Sequence, residues 1–164
     1  MANKYLYLNT IGCQMNLYDS EQIAMRLAAL GYQQTSSLDN ADLVIVNTCT
    51  IRAKAEQKAF SFLGRLARLK KKKPGLITAI GGCVAQQEGE KIFKRIPFLD
   101  LVFGTQAIDR LPSLIQRIDQ KRCRIVDIEQ LDKPHFTETE GGLSPDSQVS
   151  RFVTIMRGCD NFCS

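Results

Sequence analysis

The chain opens on a period-two pattern. In "KYLYLNT" (4–10), Leu6 and Leu8 alternate with Tyr5 and Tyr7, as in a half-buried strand. The period then lengthens. In "YDSEQIAMRLAALGY" (18–32), Ile23, Leu27 and Leu30 share one helical face, which predicts a helix capped by Asp19 or Ser20 and ended by Gly31. A short strand is expected near "YQQTSS" (32–37). "ADLVIVNTC" (41–49) holds an unbroken apolar run from Leu43 to Val46, which suits a strand covered on both faces. "KAEQKAFSFLGRLARLKKKK" (54–73) puts Phe60, Leu63 and Leu66 on one side of a long helix that Pro74 and Gly75 stop.

The same alternation continues. "LITAIGGC" (76–83) reads as a strand, "EGEKIFKRI" (88–96) as a helix and "LDLVFGT" (99–105) as a strand. "IDRLPSLIQRI" (108–118) reads as a helix and "CRIVDIE" (123–129) as a last strand. Strand and helix in turn predict an α/β fold: an open, mostly parallel sheet with helices on both faces, three layers of the Rossmann or flavodoxin kind. That domain is expected to occupy residues 1–130. Residues 131–150 carry Pro, Gly, Ser and Thr without an apolar period and read as a linker, and "RFVTIMRGC" (151–159) begins a new strand.

Composition adds bounds. With 164 residues, 44% of them hydrophobic, the chain can bury one ordinary core and hardly two. A net charge of +5 suits an RNA partner without requiring one. The N-terminus lacks the apolar core of a signal peptide and no stretch reaches membrane length, so a cytoplasmic protein without a membrane partner is expected. Six cysteines in a reducing compartment should then be thiols, and metal ligation or catalysis suits them better than disulfide pairing. The lysine run at 70–73 fits a solvated helix end, where cations oppose the dipole, better than a phosphate contact, because it lies far from the strand tips.

Those tips hold the candidate chemistry. Cys13, Cys49 and Cys83 each end a predicted parallel strand, so all three fall on the edge where α/β sheets bind ligands. Gly12, Gly81 and Gly82 would let the backbone approach a bulky inorganic group. Three thiols with no histidine nearby (His135 lies in the linker) suit iron–sulfur chemistry better than a closed zinc site, and would leave one iron open. The alternative is three buried, inert cysteines. Cys123 has no such surroundings and reads as a structural or surface thiol. Cys159 and Cys163 form a C-x-x-x-C pair, which is weak evidence alone.

Five runs make that pair specific. They are "GCQMNLYDSE" (12–21), "ADLVIVNTCTIRAKAEQK" (41–58), "GGCVAQQEGE" (81–90), "LDLVFGTQ" (99–106) and "FVTIMRGCDNFC" (152–163). Together they resemble the radical S-adenosylmethionine methylthiotransferases, and Gln14-Met15-Asn16 resembles the branch that makes 2-methylthio-N6-isopentenyladenosine in tRNA. The resemblance implies an N-terminal domain with an auxiliary 4Fe–4S cluster on Cys13, Cys49 and Cys83, which supplies sulfur. It implies a barrel with a second, radical 4Fe–4S cluster, to which Cys159 and Cys163 would give two ligands, and a β domain that binds RNA. S-adenosylmethionine and tRNA would be the partners of the full enzyme. On this view the chain is a fragment, inactive alone and holding at most the auxiliary cluster. Gln14, Asn16, Asn47 and Thr48 would donate hydrogen bonds to cluster sulfides, or else serve caps and turns. The competing reading is a flavodoxin-like nucleotide-binding or interaction module with incidental thiols. No G-x-G-x-x-G or Walker sequence supports it.

Overall fold

Strand β1 (Lys4–Ile11) lies inside the sheet rather than at its edge. In the computed structural model, which describes residues 3–50 and 53–130, it pairs on one side with β2 (Tyr32–Gln34) and on the other with β3 (Leu43–Thr48). Beyond β3 follow β4 (Ile77–Gly82), β5 (Leu101–Phe103) and β6 (Ile125–Asp127). Every pairing is parallel and the order is β2-β1-β3-β4-β5-β6. The order reverses between β1 and β3. In open α/β sheets such a switch point leaves a crevice beyond the carboxyl ends of the strands.

The strands divide their side chains between two cores, because successive residues point to opposite faces. Leu43 and Ile45 of β3, Ile77 and Ala79 of β4, and Leu101 and Phe103 of β5 face one layer. That layer is built from α1 (Gln14–Ala28), a 3₁₀ turn (Thr105–Arg110) and α5 (Leu111–Lys121), through Ile23, Leu27, Ile108 and Leu114. Val44, Val46, Ile80 and Val102 face the other layer. It holds α2 (Ala53–Lys72), α3 (Cys83–Glu88) and α4 (Lys91–Arg95), with Leu63, Leu66, Val84 and Ile92 inward. The expected three-layer α/β sheet is what forms.

Several boundaries differ from expectation. Helix α1 begins at Gln14 with Cys13 as its N-cap, more than a turn before Asp19 and Ser20, which are buried inside it rather than capping it. Helix α3 begins directly at Cys83, where only a strand end was expected, and Gly89 separates it from α4. Helix α5 carries Pro112 in its first turn, a position that needs no amide donor, and Ile108 to Arg110 belong to the 3₁₀ turn. The last strand starts at Ile125, so Cys123 lies just before it, half-buried against the first core.

The lysine run also finds its place. Lys70 pairs with Asp100 and donates to the Leu76 carbonyl, and Lys73 pairs with Asp42 at 2.9 Å and donates to the Ala41 carbonyl at 2.7 Å. Both clamp the edge where β3 and β5 begin, opposite the strand tips. Lys71 and Lys72 are exposed. Contacts divide the chain after Gln130. The expected linker (131–150), the strand of 151–159, the start of a barrel over 151–164 and both Cys159 and Cys163 lie outside the described residues.

Candidate metal centre

Register brings the thiols to one edge. Ile11, Thr48 and Gly82 stand side by side across β1, β3 and β4 as Ile11–Thr48 and Thr48–Gly82 partners. Neighbouring strands are about 4.8 Å apart. Cys49 and Cys83 are each one residue beyond this row, and Cys13 is two beyond. All four described cysteines are thiols. Cys49 is only 2% exposed, whereas Cys13 and Cys83 are half-buried. Cys123, before β6, is remote in the strand order.

The Cys83 thiol is influenced by both of the others. Burial pushes the Cys83 thiol above its ordinary pKa, and Cys49, Cys13 and the Asp19 carboxylate push it the same way. A hydrogen bond with the Thr50 backbone opposes them. A cationic group bound at this edge would favour the thiolates instead.

A buried polar network holds the edge together. The Asn16 Oδ1 accepts from the Cys13 backbone N–H at 3.1 Å, the return half of a capping box, and lies 3.4 Å from the Cys13 Sγ. Its Nδ2 donates to Asn47 Oδ1 and to the Thr48 carbonyl, both at 3.3 Å. Asn47 Nδ2 donates back to the Asn16 carbonyl at 2.8 Å and to Ser20 Oγ at 2.9 Å, and Ser20 shares a 2.6 Å hydrogen bond with Thr10. One side chain, Asn16, thus joins the loop of Cys13 to the strand that delivers Cys49. The third loop fits against the same atoms. Gly82 has φ +91°, and a Cβ there would lie 2.2 Å from the Thr48 carbonyl oxygen and 2.7 Å from Asn47 Oδ1.

Of the four flanking polar residues named from sequence, Asn16 and Asn47 are in this network, Gln14 is exposed, and Thr48 keeps a fully buried hydroxyl without a partner among the described residues. Of the glycines, Gly12 and Gly82 permit the loops' approach. Gly81 serves a different purpose, since its missing Cβ makes room for the Phe103 ring, 2.3 Å from where that atom would sit. Thr10, Asp19 and Ser20 were not expected at the site. Their signal was the polar stripe Asn16, Asp19, Ser20 at helical spacing, which is an inward face of α1 only once Asn47 lies opposite.

Among the described residues, no three His, Cys, Asp or Glu side chains gather round a single metal-ion position. The donor set fits a larger, soft inorganic group: three thiols on one edge, glycines where loops crowd, and an unused hydroxyl beside them.

Comparison with known proteins agrees with the resemblance read from the five runs. The chain is 51% identical over 163 residues to the tRNA-2-methylthio-N(6)-dimethylallyladenosine synthase of Desulfosudis oleivorans, covering 98% of this chain and 34% of that protein. It is 50% identical to the protein of the same name from Citrifermentans bemidjiense (98% and 36%) and 49% identical to that of Geobacter sulfurreducens (99% and 36%). It therefore spans about a third of the length of these relatives. Residues 5–104, more than half of the chain, match the model of the family described as Uncharacterized protein family UPF0004, and the chain belongs to that family.

Proposed function

We propose that this chain is the N-terminal part of a tRNA methylthiotransferase, and that Cys13, Cys49 and Cys83 hold an auxiliary 4Fe–4S cluster. The observation that supports this reading is the register, which puts Cys13, Cys49 and Cys83 within two residues of the carboxyl ends of the neighbouring strands β1, β3 and β4, around the switch point. The cluster, when bound, would supply sulfur from an iron that no fourth protein ligand fills.

The chain's own residues do three things at this edge. They give up thiol protons, since only thiolates ligate iron. They fix the ligands: Asn16 holds the start of α1 and the end of β3 in one arrangement, so Cys13 and Cys49 do not wander. They also restrict water, with Cys49 innermost and Cys13 and Cys83 at the rim. Methylthiolation of N6-isopentenyladenosine beside the anticodon, with S-adenosylmethionine as methyl and radical source, belongs to the longer enzyme. Cys159 and Cys163 would be ligands of its second cluster. A cytoplasmic setting follows from a tRNA substrate, and no helix among the described residues is long and apolar enough to cross a membrane.

Anaerobic reconstitution with iron and sulfide tests the reading. A broad visible iron–sulfur band and about four irons per chain are expected. Changing Cys13, Cys49 or Cys83 to Ala should each abolish most of the band, and Cys123→Ala should leave it intact. Equal iron in all four variants would refute the ligand assignment. A nucleotide-binding module with incidental thiols would give no band at all.

A further inference from the structure

We propose that the groove between β1 and the first three turns of α2 is a phosphodiester-binding track that leads RNA to the thiol edge. The inference rests on the tRNA methylthiotransferase reading only for naming the polyanion as RNA. The groove encloses about 630 Å³ and is walled by Asn9 and Ile11 of β1 and by the α2 face that carries Lys54, Lys58 and Arg65. Among the described residues, three cations and no carboxylate line it. The nearest acidic residue on α2, Glu56, is turned to Arg95 on another side of the helix.

These cations differ from the other basic residues of α2. Lys70 and Lys73 are spent on Asp100 and Asp42, whereas Lys54, Lys58 and Arg65 are exposed and make no ion pair among the described residues. Asn9, Gln57 and Ser61 add neutral hydrogen-bonding groups between them, as phosphate tracks do. Phe62 forms an apolar wall, stacked on Tyr7 at 6.0 Å, with the Arg65 guanidinium 5.5 Å from its ring centre. That contact helps hold Arg65 over the groove.

Direction and length favour a chain of phosphates over one small anion. Lys54 and Arg65 are eleven residues apart, about 16 Å along a helix. The track starts at the edge that carries Cys13 and Cys49, because α2 runs back from there, and the positive end of the helix dipole adds to the cations at that end. A strand lying along it would bring a neighbouring base to the thiols.

Fluorescence anisotropy with a labelled single-stranded RNA over a salt series tests this on the 164-residue chain. The variant Lys54→Ala/Lys58→Ala/Arg65→Ala should bind at least tenfold more weakly. Its log K against log salt slope should be shallower by about 2, as expected for three lost single-strand phosphate contacts. A control with the same charge loss, Lys71→Ala/Lys72→Ala/Lys121→Ala, should stay within about twofold of the unaltered chain. Equal weakening in both variants, no RNA binding by the unaltered chain, or equally tight binding of a poly-glutamate peptide would overturn the track. Iron content measured on the same samples separates the two readings. An unaltered chain that shows the band but binds no RNA sinks the groove alone, and an unaltered chain that binds RNA but shows no band sinks the cluster alone.

Discussion

Cys49 and Cys83 are chemically alike in sequence and differ in depth. With Cys49 2% exposed and its two neighbours half-buried, iodoacetamide should label Cys13 and Cys83 of the cluster-free chain well before Cys49. After reconstitution all three should be protected while Cys123 still reacts, which peptide mass spectrometry reads directly. Labelling of Cys49 at the rate of the others would show the edge to be open. Asn16 is the second residue whose chemistry can be isolated. Asn16→Asp retains an acceptor for the Cys13 N–H but sets a carboxylate against the Thr48 carbonyl and Asn47 Oδ1, where an amide now donates. Each buried acceptor left without its donor costs about 1–3 kcal/mol. We expect urea unfolding to show a loss of that order, with iron loading reduced in the folded variant.

The elements meet at β4 and its turn into α3, where chain direction changes within a single residue. Gly82 sits at φ +91° with the Thr48 carbonyl in van der Waals reach, so an added methyl group is blocked by backbone rather than by a movable side chain. Gly82→Ala should therefore destabilise by more than the roughly 1 kcal/mol of an ordinary helix or strand change, reaching about 3 kcal/mol. Gly64→Ala is the matched comparison. It lies on the exposed side of α2 with nothing within 4 Å of its added Cβ, and should stabilise by about 1 kcal/mol. Equilibrium unfolding of the two variants side by side checks both signs.

Across the whole molecule, the edge opposite the thiols is tied by ion pairs and titrates in acid. Burial raises the Asp42 carboxyl, but hydrogen bonds from Lys73 and the Tyr5 N–H outweigh it and hold the pKa below its ordinary value. A carboxyl depressed by folding adds stability at neutral pH, and that contribution is lost as pH falls from the unfolded value through the folded one. The pair is partly exposed, so the effect is modest and weakens with salt. The melting temperature of the unaltered chain should fall more between pH 5 and pH 3 than that of Asp42→Asn, and the gap should narrow at high salt. Parallel acid limbs would show that Asp42 is not among the groups that govern acid stability.

Periodicity alone predicted the layers, because a strand or helix that buries one or two faces must repeat its apolar residues at the spacing of its own geometry. The run Leu43 to Val46 and the face Phe60, Leu63, Leu66 are of that kind. The placement of Cys13, Cys49 and Cys83 on one edge was legible too, since a parallel sheet puts all strand ends on one edge. The start of α1 was not. Asn16, Asp19 and Ser20 are polar, and polar residues on an inward face look like a cap until partners from another strand appear opposite them. Only the tertiary structure supplied those partners, Thr10 from the strand just before the helix and Asn47 from a strand remote in sequence. It alone also separated the lysines: the run at 70–73 is conspicuous in sequence yet half of it is spent on Asp42 and Asp100. Lys54, Lys58 and Arg65 are scattered in sequence and line one groove because β1 packs beside them.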